Sequence, residues 1–316
     1  MAEKHELTEV QQNVEALRES ADKVRAKMKC RVTCVPAPAG TTEPPEGAKL
    51  IHFIRHGEGF HNVAQREWRA DPNWDGTSEP YTKQTDPDFK YIDAELNEKG
   101  MAQATELQQQ TEALKPELLV VSPMRRATVT GLLAFAPHIE RKELEVLANE
   151  LVHERAGKHT CDKRMNKSNL EKLYPHIDYF LIKDEEDPFW GYGITREPWA
   201  DTAVRAGYFI DWLWQRPERH VAVAAHSAIL LSIFNGGACA HAFAIRHTAH
   251  HSTRMLTLTF AVCARSGGQR RGDTAMVWYR RDAERPAYRD ARRVTINKGS
   301  ARGPHPHRYR YRSVAV

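Results

Sequence analysis

The chain is 316 residues long, 41% hydrophobic and 28% charged, with 46 Lys+Arg against 41 Asp+Glu for a net charge of +5. That is enough chain for one large core or two small ones, and no run of 18 apolar residues offers a membrane span. Five scattered cysteines (Cys30, Cys34, Cys161, Cys239, Cys263) exclude a disulfide scaffold and favour a reducing, intracellular setting.

Taken in chain order, the opening MAEKHELTEV is charged and has no apolar stretch, so no secretory leader is expected and a cytoplasmic location is, with a nuclear one compatible. Residues 1–30 read as an amphipathic helix. Leu7, Val10, Val14, Leu17, Ala21, Val24 and Met28 fall at alternating spacings of three and four, one stripe of a helix. The stripe suits a helix lying on the body; self-association through residues 5–29 is the alternative. Residues 31–48, rich in proline, read as a linker. From Lys49 the pattern changes. Leu50–Ile54 is an apolar run of the kind that is buried on both faces of a parallel sheet. The spacing predicts a helix over 94–114, a strand over 118–121, a helix over 125–135, a strand over 146–151, a helix over 202–214, a strand over 221–225, a helix over 228–234 and a late strand over 255–262. Strands alternating with helices predict an α/β fold, a mainly parallel sheet flanked by helices.

Residues 265–316 hold 13 Arg and one Lys against four acids, a net +10, while the rest of the chain carries 32 basic and 37 acidic side chains. The basic balance therefore lives in a tail that reads as disordered. Its Arg308-Tyr-Arg-Tyr-Arg312 interleaves cations with aromatics, which suits single-stranded nucleic acid or an acidic partner. A solvated end explains it as well, so no nucleic-acid partner is assigned.

In parallel sheets ligands bind beyond the carboxyl ends of the strands, and there the charged residues collect. The strand 50–54 runs into Arg55-His56-Gly57-Glu58, with Asn62 shortly after. Strand 118–121 runs into Ser122-Pro-Met-Arg-Arg126, strand 146–151 into Val152-His-Glu154-Arg, and strand 221–225 into His226-Ser227. Arginines and histidines meeting at one sheet edge repel unless an anion sits among them, and guanidinium forks match phosphate. Histidine can carry a phosphoryl group covalently, and a nearby carboxyl can protonate the leaving oxygen.

The stretches IRHGEGFHN (54–62), DAELNEKGMAQA (93–104), VVSPMRRATVTG (120–131), ELVHERAG (150–157) and VAAHSAIL (223–230) resemble, in order, the histidine phosphatase superfamily in its phosphoglycerate mutase-like branch. The resemblance implies a three-layer α/β/α sandwich with a catalytic domain over 49–264 and a lid insertion over about 155–196. It implies His56 as phosphohistidine nucleophile, Arg55 and Arg126 as phosphate ligands, with Arg125 a neighbour, and His226 as second histidine. Asn62 would be a polar pocket residue and Glu154 the proton donor, with Glu150 or Glu58 as alternatives. Lys163 and Arg164 of the insertion are candidates to reach substrate charge. The implied activity is hydrolysis of small phosphate monoesters with neither metal nor cofactor; a mutase-type phosphotransfer is the alternative.

Rival motifs fail on context. His56-Gly-Glu58 matches a zinc deaminase, but no Pro-Cys-x-x-Cys follows. Cys30-x3-Cys34 with His52-x3-His56 mimics a zinc finger, but a proline-rich segment stands where its ββα unit would be. His247, His250 and His251 read as a solvated loop, and no Walker loop is present.

Overall fold

The computed structural model describes residues 12–13, 16–17, 32–37, 41–192, 195–235 and 257–264. Six strands form one sheet: β1 (Val32–Pro36), β2 (Ala48–Arg55), β3 (Leu118–Val121), β4 (Glu145–Ala148), β5 (His220–Ala225) and β6 (Thr257–Ala264), in the order β1-β6-β2-β5-β3-β4. β2, β5, β3 and β4 run parallel, whereas β6 pairs antiparallel with both β2 and β1. The helices are α1 (Phe60–Ala70), α2 (Glu98–Glu106), α3 (Gln108–Thr111), α4 (Arg125–Ala134), α5 (Ala136–Glu140), α6 (Lys167–Leu173), α7 (Trp199–Gln215) and α8 (Ser227–Asn235).

The parallel strands are buried because both faces are covered. On one side Ile51, Phe53, Val120, Val221 and Val223 pack against Phe209, Ile210 and Leu213 of α7 and Ile229, Ile233 and Phe234 of α8. On the other, Ile54, Leu119, Val121, Ala222 and Ala224 meet Leu107, Ala134, Phe135 and Leu170. Each fully buried Leu, Ile or Phe in these layers contributes about 1.5–3 kcal/mol. The result is the expected α/β sandwich.

Several boundaries differ from the sequence expectation, each for a local reason. The helix expected over 94–114 starts later and breaks at Leu107. Asn97 caps α2 by accepting Gly100 N–H at 2.8 Å, and the preceding Leu96 is used to bridge Gly59. The third strand ends at Ala148 because the Asn149 side chain accepts Leu151 N–H and turns the chain into a 3-10 turn at Glu150–Val152. The segment expected to be a linker is partly sheet: Val32–Pro36 forms edge strand β1 on β6, and Ala48 already belongs to β2. Pro36 closes an edge strand, where a missing N–H costs no ladder bond.

Of the expected N-terminal helix, the described residues 12–13 and 16–17 are helical. Leu17 is buried against Ala203 and Leu231, and Asn13 Oδ1 accepts the Trp199 indole N–H at 3.0 Å. This part of the stripe therefore faces the body of its own chain. Cys30, the histidines at 247–251 and the tail from 265 lie outside the described residues. No described helix is long and apolar enough to cross a membrane.

Candidate active site

β2 delivers Arg55 and His56 to the carboxyl edge of the sheet, and the backbone holds them there. His56 N–H bonds Ala225 O at 3.0 Å, and Gly57 N–H bonds Thr130 Oγ1 at 3.1 Å. Glycine is required at the next position: a Cβ on Gly57 would lie 2.5 Å from the Gly100 carbonyl oxygen, where the loop crosses the first turn of α2. The His56 ring turns Nδ1 to the Gly57 carbonyl at 2.7 Å. A carbonyl only accepts, so Nδ1 carries the proton and the lone pair is left on Nε2. Burial first, then Arg126 and Arg55, push His56 well below the usual histidine range, so it is the neutral imidazole.

His226 follows β5 directly, its ring centroid 5.1 Å from that of His56, and its Nε2 meets Ser122 Oγ at 2.8 Å. Burial, then Arg126 and His56, also push it well down. Arg55 Nε, Arg126 Nε and His226 Nδ1 are buried with no hydrogen-bond partner. Orphaned polar groups of this kind each cost on the order of 1–3 kcal/mol and are rare outside functional sites.

Glu154 lies at the start of α8. Its carboxylate accepts Ala228 N–H at 3.1 Å and the Ser227 hydroxyl at 3.2 Å, so it sits beside His226. The loop carrying it is fixed by buried Arg205, which donates to the carbonyls of Leu151, His153 and Glu154 and pairs with Glu197 at 2.6 Å. The two alternative acids are committed elsewhere. Glu150 pairs with Arg164 at 2.6 Å, and Glu58 with Arg66, Lys99 and Asn97.

Arg125 and Arg126 have different partners. Arg125 binds Asp93 and Glu95, while Arg126 is 1% exposed within the site. Its terminal nitrogens reach the Cys161 carbonyl at 2.6 Å and Asp162 Oδ1 at 3.0 Å. Two of the candidate residues have partners within the protein. Asn62 caps α1: its Oδ1 accepts Gly59 N–H at 2.9 Å, leaving only the amide NH2 to reach a ligand. The neighbouring His61 faces inward instead, buried, with its ring 5.6 Å from His56. Arg164 does not reach outward. It is fully buried and donates to the carbonyls of Met165, Asp184, Glu185 and Glu186, which staples the insertion together. Lys163 stands 5.5 Å over the Trp190 ring.

Three segments are tied together next to Arg126. Residues 79–86 bind 157–162 through Thr160, whose amide meets Tyr81 O at 2.7 Å and whose hydroxyl meets Asp86 at 2.5 Å. Residues 195–197 bridge Gly157, where φ is +121° and a Cβ would sit 2.0 Å from the Thr195 carbonyl oxygen. Asp162 joins Arg126 to Arg196, which donates to its other oxygen at 2.9 Å and also meets His159 Nδ1. Burial alone would raise Asp162, but Arg196, His159 and Arg126 outweigh it and hold the carboxyl far below its usual range. His159, Cys161 and Asp162 bring ligand atoms within 4.8 Å of one another. Both Asp162 oxygens are taken by guanidiniums, however, and burial together with Asp162 keeps the Cys161 thiol protonated, so arginines fill the place a cation would take.

His61, Ser122, Asp162, Arg196 and Arg205 join the site in the fold without a sequence signal that singles them out. His61 and Ser122 stood inside quoted motifs without a role. Asp162 and Arg196 are brought together only by the insertion's path, and no spacing rule announces that.

The chain is similar to several known proteins. A "Phosphoglycerate mutase-like protein" of Arabidopsis thaliana is 29% identical over 227 residues, covering 62% of this chain and 78% of the relative. A "Probable phosphatase" of Schizosaccharomyces pombe is 29% identical over 182 residues, covering 56% and 74%. Among solved structures, the ecdysone phosphate phosphatase of Bombix mori in complex with tungstate covers 72% of this chain and 98% of its own, with 10% identity and a TM-score of 0.43. The family model "Histidine phosphatase superfamily (branch 1)" matches residues 80–265, which span strands β3, β4 and β5 with Arg126, Glu154 and His226. On that match, the chain belongs to the histidine phosphatase superfamily.

Proposed function

We propose that the protein hydrolyses phosphate monoesters through a phosphohistidine at His56, without a metal. The observation that carries this reading is a neutral imidazole with its lone pair on Nε2 beside Arg55 and Arg126, whose buried Nε donors have no partner. Arg55 and Arg126 would neutralise the phosphoryl oxygens, which is most of what this transfer needs. His56 Nε2 attacks phosphorus as the ester P–O bond breaks, and protonated Glu154 gives its proton to the departing alkoxide. Water then attacks the phosphohistidine, losing its proton to the Glu154 carboxylate. The P–N bond breaks, phosphate leaves, and His56 returns neutral.

The burial of His56, His61 and His226 (6%, 7% and 0% exposed) favours a second reading, phosphotransfer between substrates, because a mutase must keep its phosphohistidine from water. One assay separates the two. A panel of alkyl, sugar and aryl phosphates is incubated with the protein in EDTA, and inorganic phosphate is measured. Release of phosphate that is lost in His56→Ala supports hydrolysis; transfer to an added acceptor without release supports the mutase reading. Undiminished release in His56→Ala, or loss of wild-type release in EDTA, contradicts the proposal.

A further inference from the structure

Asp162 has no part in the hydrolysis as written, yet it is the carboxylate placed on the phosphate-binding arginine. Arg126 spends both terminal nitrogens on the 3-10 turn at Thr160–Asp162, one on the Cys161 carbonyl and one on Asp162 Oδ1, while its Nε is left with no partner. The other Asp162 oxygen is held by Arg196, and His159 Nδ1 lies 3.4 Å from it. The Asp162 oxygen and the Cys161 carbonyl on the terminal nitrogens of this buried guanidinium take the places of two phosphoryl oxygens, with one negative charge where a phosphate monoester brings two. The carboxylate and a phosphoryl group cannot occupy Arg126 together, because two anions at that separation in a dry pocket repel strongly. Arg196 gives the carboxylate somewhere to stay once Arg126 lets go.

We propose that Asp162 is an internal stand-in for phosphate: it holds Arg126 in the absence of substrate, surrenders it to the phosphoryl group, and so sets the affinity of the pocket. This rests on the phosphatase reading, in which Arg126 binds the phosphoryl oxygens. Asp162 is then a specificity-determining residue that favours dianionic phosphoryl groups, which out-compete it, over carboxylates, which merely match it.

The test is titration calorimetry of the full chain with tungstate as the phosphate mimic. Asp162→Asn keeps the shape but removes the charge, and should bind tungstate roughly tenfold more tightly, the lower end of what a charge-assisted hydrogen bond is worth. Asp162→Glu keeps the charge and should stay near wild type. Asp162→Asn binding no more tightly than wild type, or as weakly as Arg126→Ala, overturns the proposal while leaving the phosphatase reading intact. Tungstate ignored by wild type and variants alike overturns both. Should Asp162→Asn fail to fold, hydrogen exchange on the wild type decides. Saturating tungstate should speed exchange at the Asp162 and Lys163 amides, which close the 3-10 turn onto the carbonyls of His159 and Thr160; slowed or unchanged exchange there overturns the stand-in.

Discussion

Glu150 and Glu154 are four residues apart, and either fits the proton-donor role on sequence alone. The fold separates them by partner. Glu154 faces Ser227 and the Ala228 amide at the start of α8, immediately after His226, whereas Glu150 is tied to Arg164 in the staple of the insertion. An alkoxide leaving group needs a proton as the P–O bond breaks; a nitrophenolate needs little help. Glu154→Gln should therefore slow hydrolysis of alkyl phosphates by about 10²–10³ and of p-nitrophenyl phosphate far less. Equal losses on both esters would mark Glu154 as a positioning residue, and a large loss confined to Glu150→Gln would move the donor. The contrast also explains which parts of the site are legible in sequence. Arg55 and His56 stand at the end of β2, His226 follows β5 directly, and Arg126 opens the helix after β3, so a local pattern at the end of a buried strand exposes each of them. Asp162 and Arg196, or Glu150 and Arg164, become partners only through the course of a long insertion.

At the scale of elements, the buried strands were readable because both-face burial leaves continuous apolar runs, as in Leu118–Val121. β1 was hidden because its five residues are followed by a run rich in prolines and its partner among the described strands is β6, which lies more than 200 residues later in the chain. The described residues before β2 supply no residue of the candidate site, so truncation there tests the sheet without touching the chemistry. Removing residues 1–30 deletes the Leu17 contact but keeps β1. Removing 1–37 also deletes β1 and bares the edge of β6, which invites association through unpaired backbone groups. The longer truncation should melt roughly 5–10 °C below the shorter one, a loss of a few kcal/mol, and should aggregate more readily. Both should keep the ratio of activities on alkyl and aryl esters. Identical melting temperatures would mean that β1 contributes nothing to the fold.

Across the whole molecule, histidines are buried neutral at both ends of the sheet. At the carboxyl edge stand His56, His61 and His226, all well below the usual range through burial and then Arg126. At the opposite end His52 and His220 face each other with their Nε2 atoms 2.7 Å apart, and burial together with His220 pushes His52 down to about 3. Burial likewise lowers His220. In the unfolded chain each titrates near 6.5, so between that value and the lower folded one the unfolded state binds more protons. Their stabilisation is present above pH 6.5 and is lost as pH falls, by up to about 1.4 kcal/mol per pH unit for each group. His153 opposes this trend: burial lowers it, but its pairing with Asp187 at 3.2 Å prevails and raises it. Its contribution is present below pH 6.5 and fades as pH rises through its folded value. With five groups against one, the melting temperature should drop steeply from pH 7.5 to pH 5; a flat or rising profile would contradict the neutral assignments.

The central claim is a covalent bond between His56 and phosphorus, and acid–base trapping addresses it most directly. The protein is mixed with a slowly turned-over phosphate ester and quenched in base, where phosphohistidine survives. Peptides are then mapped by mass spectrometry, with an acid-treated sample alongside. A phosphohistidine mechanism gives a single phosphorylated residue, His56, whose label disappears in acid and is absent from His56→Ala. Turnover with no covalent adduct, or an acid-stable label on another residue, would contradict it.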